Sequence, residues 1–372
     1  MVYNYKKHNK MRFVKAKYEI WKPKECNAKT IIESIERAAK VCYKSEVNIK
    51  EGSALPFVKG LIKRGHTSCL EHGSVYLKID YIKLASINNV DINSYEHFAH
   101  FCINAIDDNI TYYNGKIDGV FVRDTRYNGY GTRLKNVYLY TNARFVYEKC
   151  PKLFWDIILE RPLPDFISLF TPKDNDPYRR QTVFFTADQR ITEEFIRHRV
   201  ASPNKESTRY CCYASEKHNA ELTYIIPPRL KNIINDGDKL EHTMYGDKLY
   251  WKAHEDIIKN EEFAFLLNTF AMNEICYNKM VNQYGWRAEE ARIALPLGVK
   301  ADLVLTNSLI DWCYGRPEPV DDYIPNIEEG EVEGKRIKGF FGLRCDSAAH
   351  PQARELAIPL MEDFKRNGWI EE

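Results

Sequence analysis

The stretch Arg197-His198-Arg199-Val200-Ala201-Ser202-Pro203-Asn204-Lys205-Glu206-Ser207-Thr208-Arg209 decides how this chain is read. Three guanidinium groups, an imidazole, an amide and the hydroxyls of Ser202 and Ser207 are compressed into what reads as a helix end and the loop leaving it. A guanidinium presents a planar fork of N–H donors that suits phosphate and imide oxygens, so this density points to a polyanionic ligand. The alternative is a basic helix end, solvated and settled against the negative end of the helix dipole. The stretch adjoins an apolar helix face, with Ile191 and Phe195 four residues apart, which favours a site. Asp188 is a suitable N-cap, so the helix is expected to begin there and to stop at Pro203. On that helix Arg197 and Arg199 stand about 200° apart, so they would grip different ligands or different parts of one.

The rest of the chain bounds what such a site can serve. Its 372 residues allow one large or two medium domains with substantial cores. Hydrophobic residues at 44% and charged residues at 28% are ordinary for a soluble fold. A formal net charge of +2 argues against a polyanion-coating protein, so no nucleic-acid polymer is expected as partner. The 24 tyrosines could stack bases, but they serve cores and interfaces equally well. Ten cysteines, with Cys211 and Cys212 adjacent, read as reduced thiols of a cytoplasmic protein rather than a disulfide scaffold. No apolar run approaches a membrane span, and Met1–Lys7 lacks a signal-type apolar stretch. The basic segment up to Lys24 is expected to be a frayed or interface arm.

Hydrophobic rhythm predicts helices over Ala28–Lys44, Ala54–Lys63, Tyr95–Ala105, Asn142–Lys149, Asp256–Met280, Ala288–Leu295 and Ser347–Arg366, the last kinked at Pro359. Strands are predicted over Gly73–Tyr81, Thr182–Phe185 and Leu222–Ile226. The proline-rich, acidic run over 315–338 is expected to be a surface loop. No clean linker appears, so one elaborated α+β domain over 1–372 is expected, with a mixed or antiparallel sheet flanked by helices.

The spacing R-H-R-x7-S, carried by Arg197, His198, Arg199 and Ser207, resembles the signature of the flavin-dependent thymidylate synthases. The longer form, with Ser202, Asn204, Arg209 and Tyr210, fits as well. So many fixed positions are a far stronger match than a lone glycine-rich loop. The resemblance implies that fold, with 83–181 as an insertion relative to compact members, and a homotetramer with shared active sites. It implies reductive methylation of deoxyuridylate (dUMP) to dTMP, with methylenetetrahydrofolate as carbon donor. FAD would carry the hydride and NADPH would reduce it again.

Residue by residue, the resemblance implies the following contacts. Arg64-Gly65-His66-Thr67-Ser68-Cys69-Leu70-Glu71-His72 resembles the element beside the flavin, with His66 and Ser68 on cofactor-contacting positions. Taken without the resemblance, His66, Cys69 and His72 are spaced three apart, as metal ligands or as core histidines could be. No second cluster of Cys and His accompanies them, so no metal is expected. Arg197 would lie between nucleotide and flavin, with His198 and Arg199 facing the flavin. Glu194, Glu206, Ser207 and Arg209 would meet dUMP, the last two in a phosphate loop donated to a neighbouring subunit. Ser207 has no base within its motif, so binding rather than nucleophilic attack is expected of it. Lys205 departs from the Glu or Gln that many members carry. Downstream, Glu290-Ala291-Arg292-Ile293-Ala294-Leu295-Pro296 resembles the family stretch whose arginine, here Arg292, meets the nucleotide. Asn307 would meet the flavin. Arg344, in Phe341-Gly342-Leu343-Arg344-Cys345-Asp346, matches an arginine beside the uracil N3, where a cation would favour the imide anion and alkylation.

Absences agree. The cysteine of a flavin-free thymidylate synthase would follow a proline, whereas here Cys150-Pro151 has the reverse order. No G-x-G-x-x-G opens a helix after a strand and no Walker loop exists, so flavin would bind outside a Rossmann crevice. A nucleotide- or RNA-binding module without turnover is the competing class, weakened by the near-neutral charge. The family reading requires Arg197, Arg292 and Arg344 to converge, within one chain or through an arrangement of subunits.

Overall fold

Two nine-residue strands, Arg180–Asp188 and Lys300–Ser308, run antiparallel with Arg180 opposite Ser308 and Asp188 opposite Lys300. The second was not predicted. Its apolar run Leu303-Val304-Leu305 is short, and the flanking Lys300, Asp302, Thr306 and Asn307 hide a strand pattern that only pairing completes. The computed structural model of the chain describes residues 10–22, 25–87, 94–107, 112–113, 120–124, 136–198, 200–215, 221–245, 248–252, 259–313 and 339–370. Arg199 and the run expected to be a loop over 315–338 lie outside the described residues.

In chain order, β1 (Lys10–Val14) and β2 (Lys17–Trp21) precede α1 (Ala28–Cys42), α2 (Ala54–Lys63), β3 (Ser74–Asp80), α3 (Tyr81–Ala85) and α4 (Tyr95–Asp107). Then come β4 (Tyr112–Tyr113), β5 (Val120–Asp124), β6 (Asn136–Asn142), α5 (Ala143–Lys149), α6 (Pro151–Ile158) and β7 (Ile167–Leu169). The signature region holds β8 (Arg180–Asp188), α7 (Gln189–Ile196), β9 (Ser202–Lys205) and β10 (Leu222–Ile225), followed by β11 (Lys239–Tyr245) and β12 (Lys248–Lys252). The remainder is α8 (Glu261–Asn282), α9 (Ala288–Ala291), β13 (Lys300–Ser308), α10 (Leu309–Cys313), α11 (Phe340–Arg344) and α12 (Pro351–Arg366).

The architecture is α+β, with three sheets among the described residues rather than one. The order β2-β8-β13-β9 is wholly antiparallel. Phe185, Leu303 and Leu305 enter a core with Phe195, Trp312, Phe340, Phe341 and Phe364. The order β4-β5-β6-β3-β7 is also antiparallel, and β3 pairs with β6 from Ser74 opposite Asn142 to Asp80 opposite Asn136. Its core takes in α1, α2, α5 and α6 through residues such as Ile35, Leu61, Phe145 and Leu153. The third sheet, β10-β1-β11-β12, is mixed, with β1 parallel to β10, and packs on α8.

Several predicted boundaries move. The described part of the amino-terminal segment is not a frayed arm: Met11 and Phe13 are fully buried on β1, and β2 pairs with β8. The central strand expected over Thr182–Phe185 is longer and runs from Arg180 to Asp188. The helix of the signature does start after Asp188, whose carboxylate accepts from the Ile191 N–H at 2.8 Å. It ends at Ile196, well before Pro203, which lies in β9 instead. β9 is an edge strand, and an edge tolerates a residue that cannot donate to the ladder. α8 begins at Glu261, where Asn260 caps it, and α12 at Pro351, where His350 caps it. Ala288–Leu295 is α9 followed by a 3-10 turn over Arg292–Ala294. No described helix is long and apolar enough to cross a membrane, and all ten cysteines are free.

Candidate active site

The burial of Ile191 and Phe195 fixes α7 and thereby aims its last turn. Phe195 meets Phe185 at 5.0 Å and Phe340 at 5.0 Å, which ties α7 to both the central sheet and α11. Arg344, at the end of α11, consequently reaches the end of α7. Its Nε donates to His198 Nε2 at 3.0 Å, its Nη1 to Glu194 Oε2 at 3.1 Å and its Nη2 to the Glu194 carbonyl at 2.6 Å. Arg197 is exposed at the same corner, close enough for its charge to act on Arg344. Burial works against the charge of Arg344, Glu194 supports it and Arg197 opposes it, and the balance lies below the ordinary value. His198 is buried beside Phe340, at 4.9 Å between rings. Burial, with Arg344 adjacent, lowers its pKa to about 4. Glu194, Arg197, His198 and Arg344 therefore form one cationic, donor-rich cluster.

The other half of the signature stands at the far end of β9. Ser202 pairs with Thr306 and Lys205 with Leu303, so the strand separates the two halves by about 10 Å at ~3.3 Å per residue. Beyond it, Glu206 is fully buried and takes up four donors of the chain itself. Lys44 Nζ lies at 2.7 Å, Lys300 Nζ at 3.0 Å, Tyr213 Oη at 2.6 Å and the Asp302 N–H at 3.2 Å. Burial alone would push this carboxyl up, but Lys300 and Lys44 pull it well below the usual range. Sequence reasoning missed Lys44, Lys300 and Tyr213. A lysine at the end of a predicted helix carries no mark of a partner more than 150 positions away.

From that anchor the loop turns outward. Ser207 donates its N–H to the Cys42 carbonyl at 3.0 Å, and its Oγ accepts from the Arg209 N–H at 3.3 Å. Arg209 is exposed and pairs with Glu289 at 2.6 Å, while Arg292 Nη1 donates to Thr208 Oγ1 at 3.3 Å. Tyr210 packs on Tyr43 at 5.5 Å, and Tyr43 Oη lies 3.0 Å from His66 Nδ1. The end of α1 thus joins His66 to the loop that carries Ser207 and Arg209, which Arg292 meets at Thr208. Arg197 and Arg344 converge with each other, and Arg209 with Arg292, while among the described residues no hydrogen bond or ion pair links one arginine pair to the other.

Two candidates lie elsewhere. Ser68 is exposed on the 3-10 turn Thr67–His72, and among the described residues no hydrogen bond joins it to the clusters above. Asn307 is buried on β13, its Oδ1 accepting the Ser308 N–H at 3.1 Å. His66, Cys69 and His72 point to different partners: Tyr43, Asn204 and Thr306 respectively. Among the described residues no group of three or more His, Cys, Asp or Glu side chains could hold a metal ion.

Residues 181–314 match the family model described as thymidylate synthase complementing protein. That span contains Arg197, Ser207, Arg209, Arg292 and Asn307, and leaves His66, Ser68 and Arg344 outside it. Two curated relatives are named flavin-dependent thymidylate synthase, one from Pyrococcus furiosus and one from Pyrococcus abyssi. Each is 25% identical over 175 residues, which cover 47% of this chain and 50% of the relative. The chain spans about half the length of the curated relatives it matches. These matches bear out the family resemblance drawn from the signature.

Proposed function

We infer that the chain is a flavin-dependent thymidylate synthase, converting dUMP to dTMP with methylenetetrahydrofolate as carbon donor and NADPH as reductant. One observation carries the reading. Arg344, 147 positions after Arg197 by numbering, docks on the turn that opens the signature and shares Glu194 and His198 with it. A guanidinium has five N–H donors, and three are committed here, so two remain for a ligand oxygen. Glu194 and His198 hold the fork in one orientation, which is what stabilising an imide anion requires.

The donor set suits a flavin, whose ring edge is rich in acceptors. Arg197 and Arg344 offer strict donors at a half-buried corner, with the aromatic cluster of Phe340 and Phe195 behind them. Arg197 and His198 would hold the ring, with Arg199 from the same motif. Reduced flavin, when bound, supplies the hydride. The chain's own tasks are to bind, to orient and to keep charge near the uracil. Ser207, Thr208 and Arg209 on one loop, with Arg292 reaching Thr208 from the 3-10 turn Arg292–Ala294, bring together two hydroxyls and two guanidiniums, a set that fits a phosphate. Glu206 serves that loop as its buried anchor and not as a ligand contact. The separation of the two halves along β9 supports a reading in which active sites are shared between copies in a homotetramer.

The test is dTMP formation from dUMP by purified full-length protein supplied with FAD, methylenetetrahydrofolate and NADPH. Yellow protein that bleaches with NADPH and releases dTMP is the expected result. A colourless protein that takes up no FAD and makes no dTMP ends this reading.

A further inference from the structure

A cavity of about 210 Å³ opens between α1, β2, β3 and β8, and none of the described dUMP or flavin candidates lines it. Its inner wall is buried and rich in donors: Arg180 is 1% exposed, His72 2% and Arg179 6%. Its carboxylates, Glu25 and Glu33, are exposed at the rim. Two ring nitrogens of the lining, Trp21 Nε1 and His72 Nε2, are buried without a hydrogen-bond partner among the described residues. A buried polar atom left in that state is costly, so a site that supplies a partner on binding explains both.

The direction of the protons narrows the ligand. An indole N–H and a guanidinium can only donate. Trp21 is held by Phe184, stacked at 5.7 Å, and by the Arg37 guanidinium 3.8 Å from its ring centroid, so its N–H has a fixed aim. His72 Nδ1 lies 2.8 Å from Thr306 Oγ1, which lies 2.8 Å from Thr182 Oγ1. If the relay runs from Thr182 to His72, then Nε2 carries a proton. If it runs the other way, the Thr182 hydroxyl has its proton to spare. His72 and Thr182 both line the cavity, so either orientation delivers one donor to it. Burial, with Arg180 adjacent, lowers the His72 pKa to about 3, which keeps this ring neutral.

We propose that this cavity binds a phosphate-class oxyanion, held by Trp21 Nε1, by the His72–Thr306–Thr182 relay and by the charge of Arg180. A tetrahedral oxyanion matches donors that come from separate walls, because its unprotonated oxygens accept and do not donate. Nothing in this chemistry depends on the thymidylate synthase reading. The phosphate could be free inorganic phosphate or the phosphate of a bound nucleotide, and competition separates the two.

Calorimetric titration of the full chain with inorganic phosphate is expected to give one site. Trp21→Phe, which keeps an aromatic ring against Phe184 and lacks the N–H, weakens it about tenfold, and His72→Gln does so to a similar degree. Far-UV circular dichroism checks that both variants fold. If prior saturation with dUMP or FAD abolishes the phosphate heat, the cavity holds that molecule's phosphate. If the heat persists, it holds free phosphate. Absence of phosphate uptake by the wild-type chain, or uptake unmoved in the folded Trp21→Phe protein, overturns the assignment.

Discussion

Arg344 Nε lies 3.0 Å from His198 Nε2, between residues 146 positions apart. A guanidinium cannot accept, so His198 must, and its ring is therefore neutral with the proton on Nδ1. One contact thus sets the protonation state of the imidazole in the signature and the orientation of the arginine assigned to the uracil.

Removing that arginine separates chemistry from cofactor binding. Arg344→Ala is expected to lower dTMP formation by ~100-fold or more while FAD absorbance is retained, since Arg197 and the buried wall remain. Steady-state rates measured beside the visible spectrum check this. Unchanged turnover removes Arg344 from the mechanism.

The neutral imidazole has a pH signature. The folded pKa of His198 is about 4 against an ordinary 6.5, so the unfolded chain binds the proton first as pH falls. Stability is full above about pH 6.5 and declines toward pH 4 by up to about 1.4 kcal/mol per unit from this group, after which its slope ends. His72, lowered to about 3, extends the decline further into acid. Urea midpoints across that range should fall with pH, and His198→Gln should flatten part of the slope.

Glu206→Ala strands two lysines. Lys44 and Lys300 lose the carboxylate they share, and loss of such a partner costs about 3 kcal/mol. Urea denaturation measures it. A loss below 1 kcal/mol, with dUMP affinity reduced instead, would make Glu206 a ligand contact.

Arg209→Ala tests the opposite case. Its pair with Glu289 is exposed, so the thermal midpoint should not move. Affinity for dUMP should fall roughly tenfold, as loss of a charged donor to phosphate implies. A folded variant that binds dUMP normally dissociates the loop from the phosphate.

What could be read in advance followed from local physics. The helices α1 and α2 repeat an apolar face, and Asp188 marks a start that the chain uses. The signature announced its donors. What stayed hidden depends on distant pairing. In Lys10–Val14 the apolar residues are Met11, Phe13 and Val14, too short a run to reveal a strand until Leu222–Ile225 lies beside it. The buried charges behaved likewise, since Glu206, Lys44 and Lys300 look like surface residues until one sheet gathers them. The cavity beside His72 was equally invisible, because Trp21 reaches it from a segment read as an arm.

Since β9 spans the gap, the seven residues between Arg199 and Ser207 act as a ruler, and their number sets a length and a parity. Ser202 and Asn204 face inward while Pro203 and Lys205 face outward. Deleting one residue would shorten the reach and also turn Asn204 out and Lys205 in, because neighbouring side chains on a strand take opposite faces. Change in this segment is therefore restricted to substitution, with insertions and deletions confined to the loops on either side.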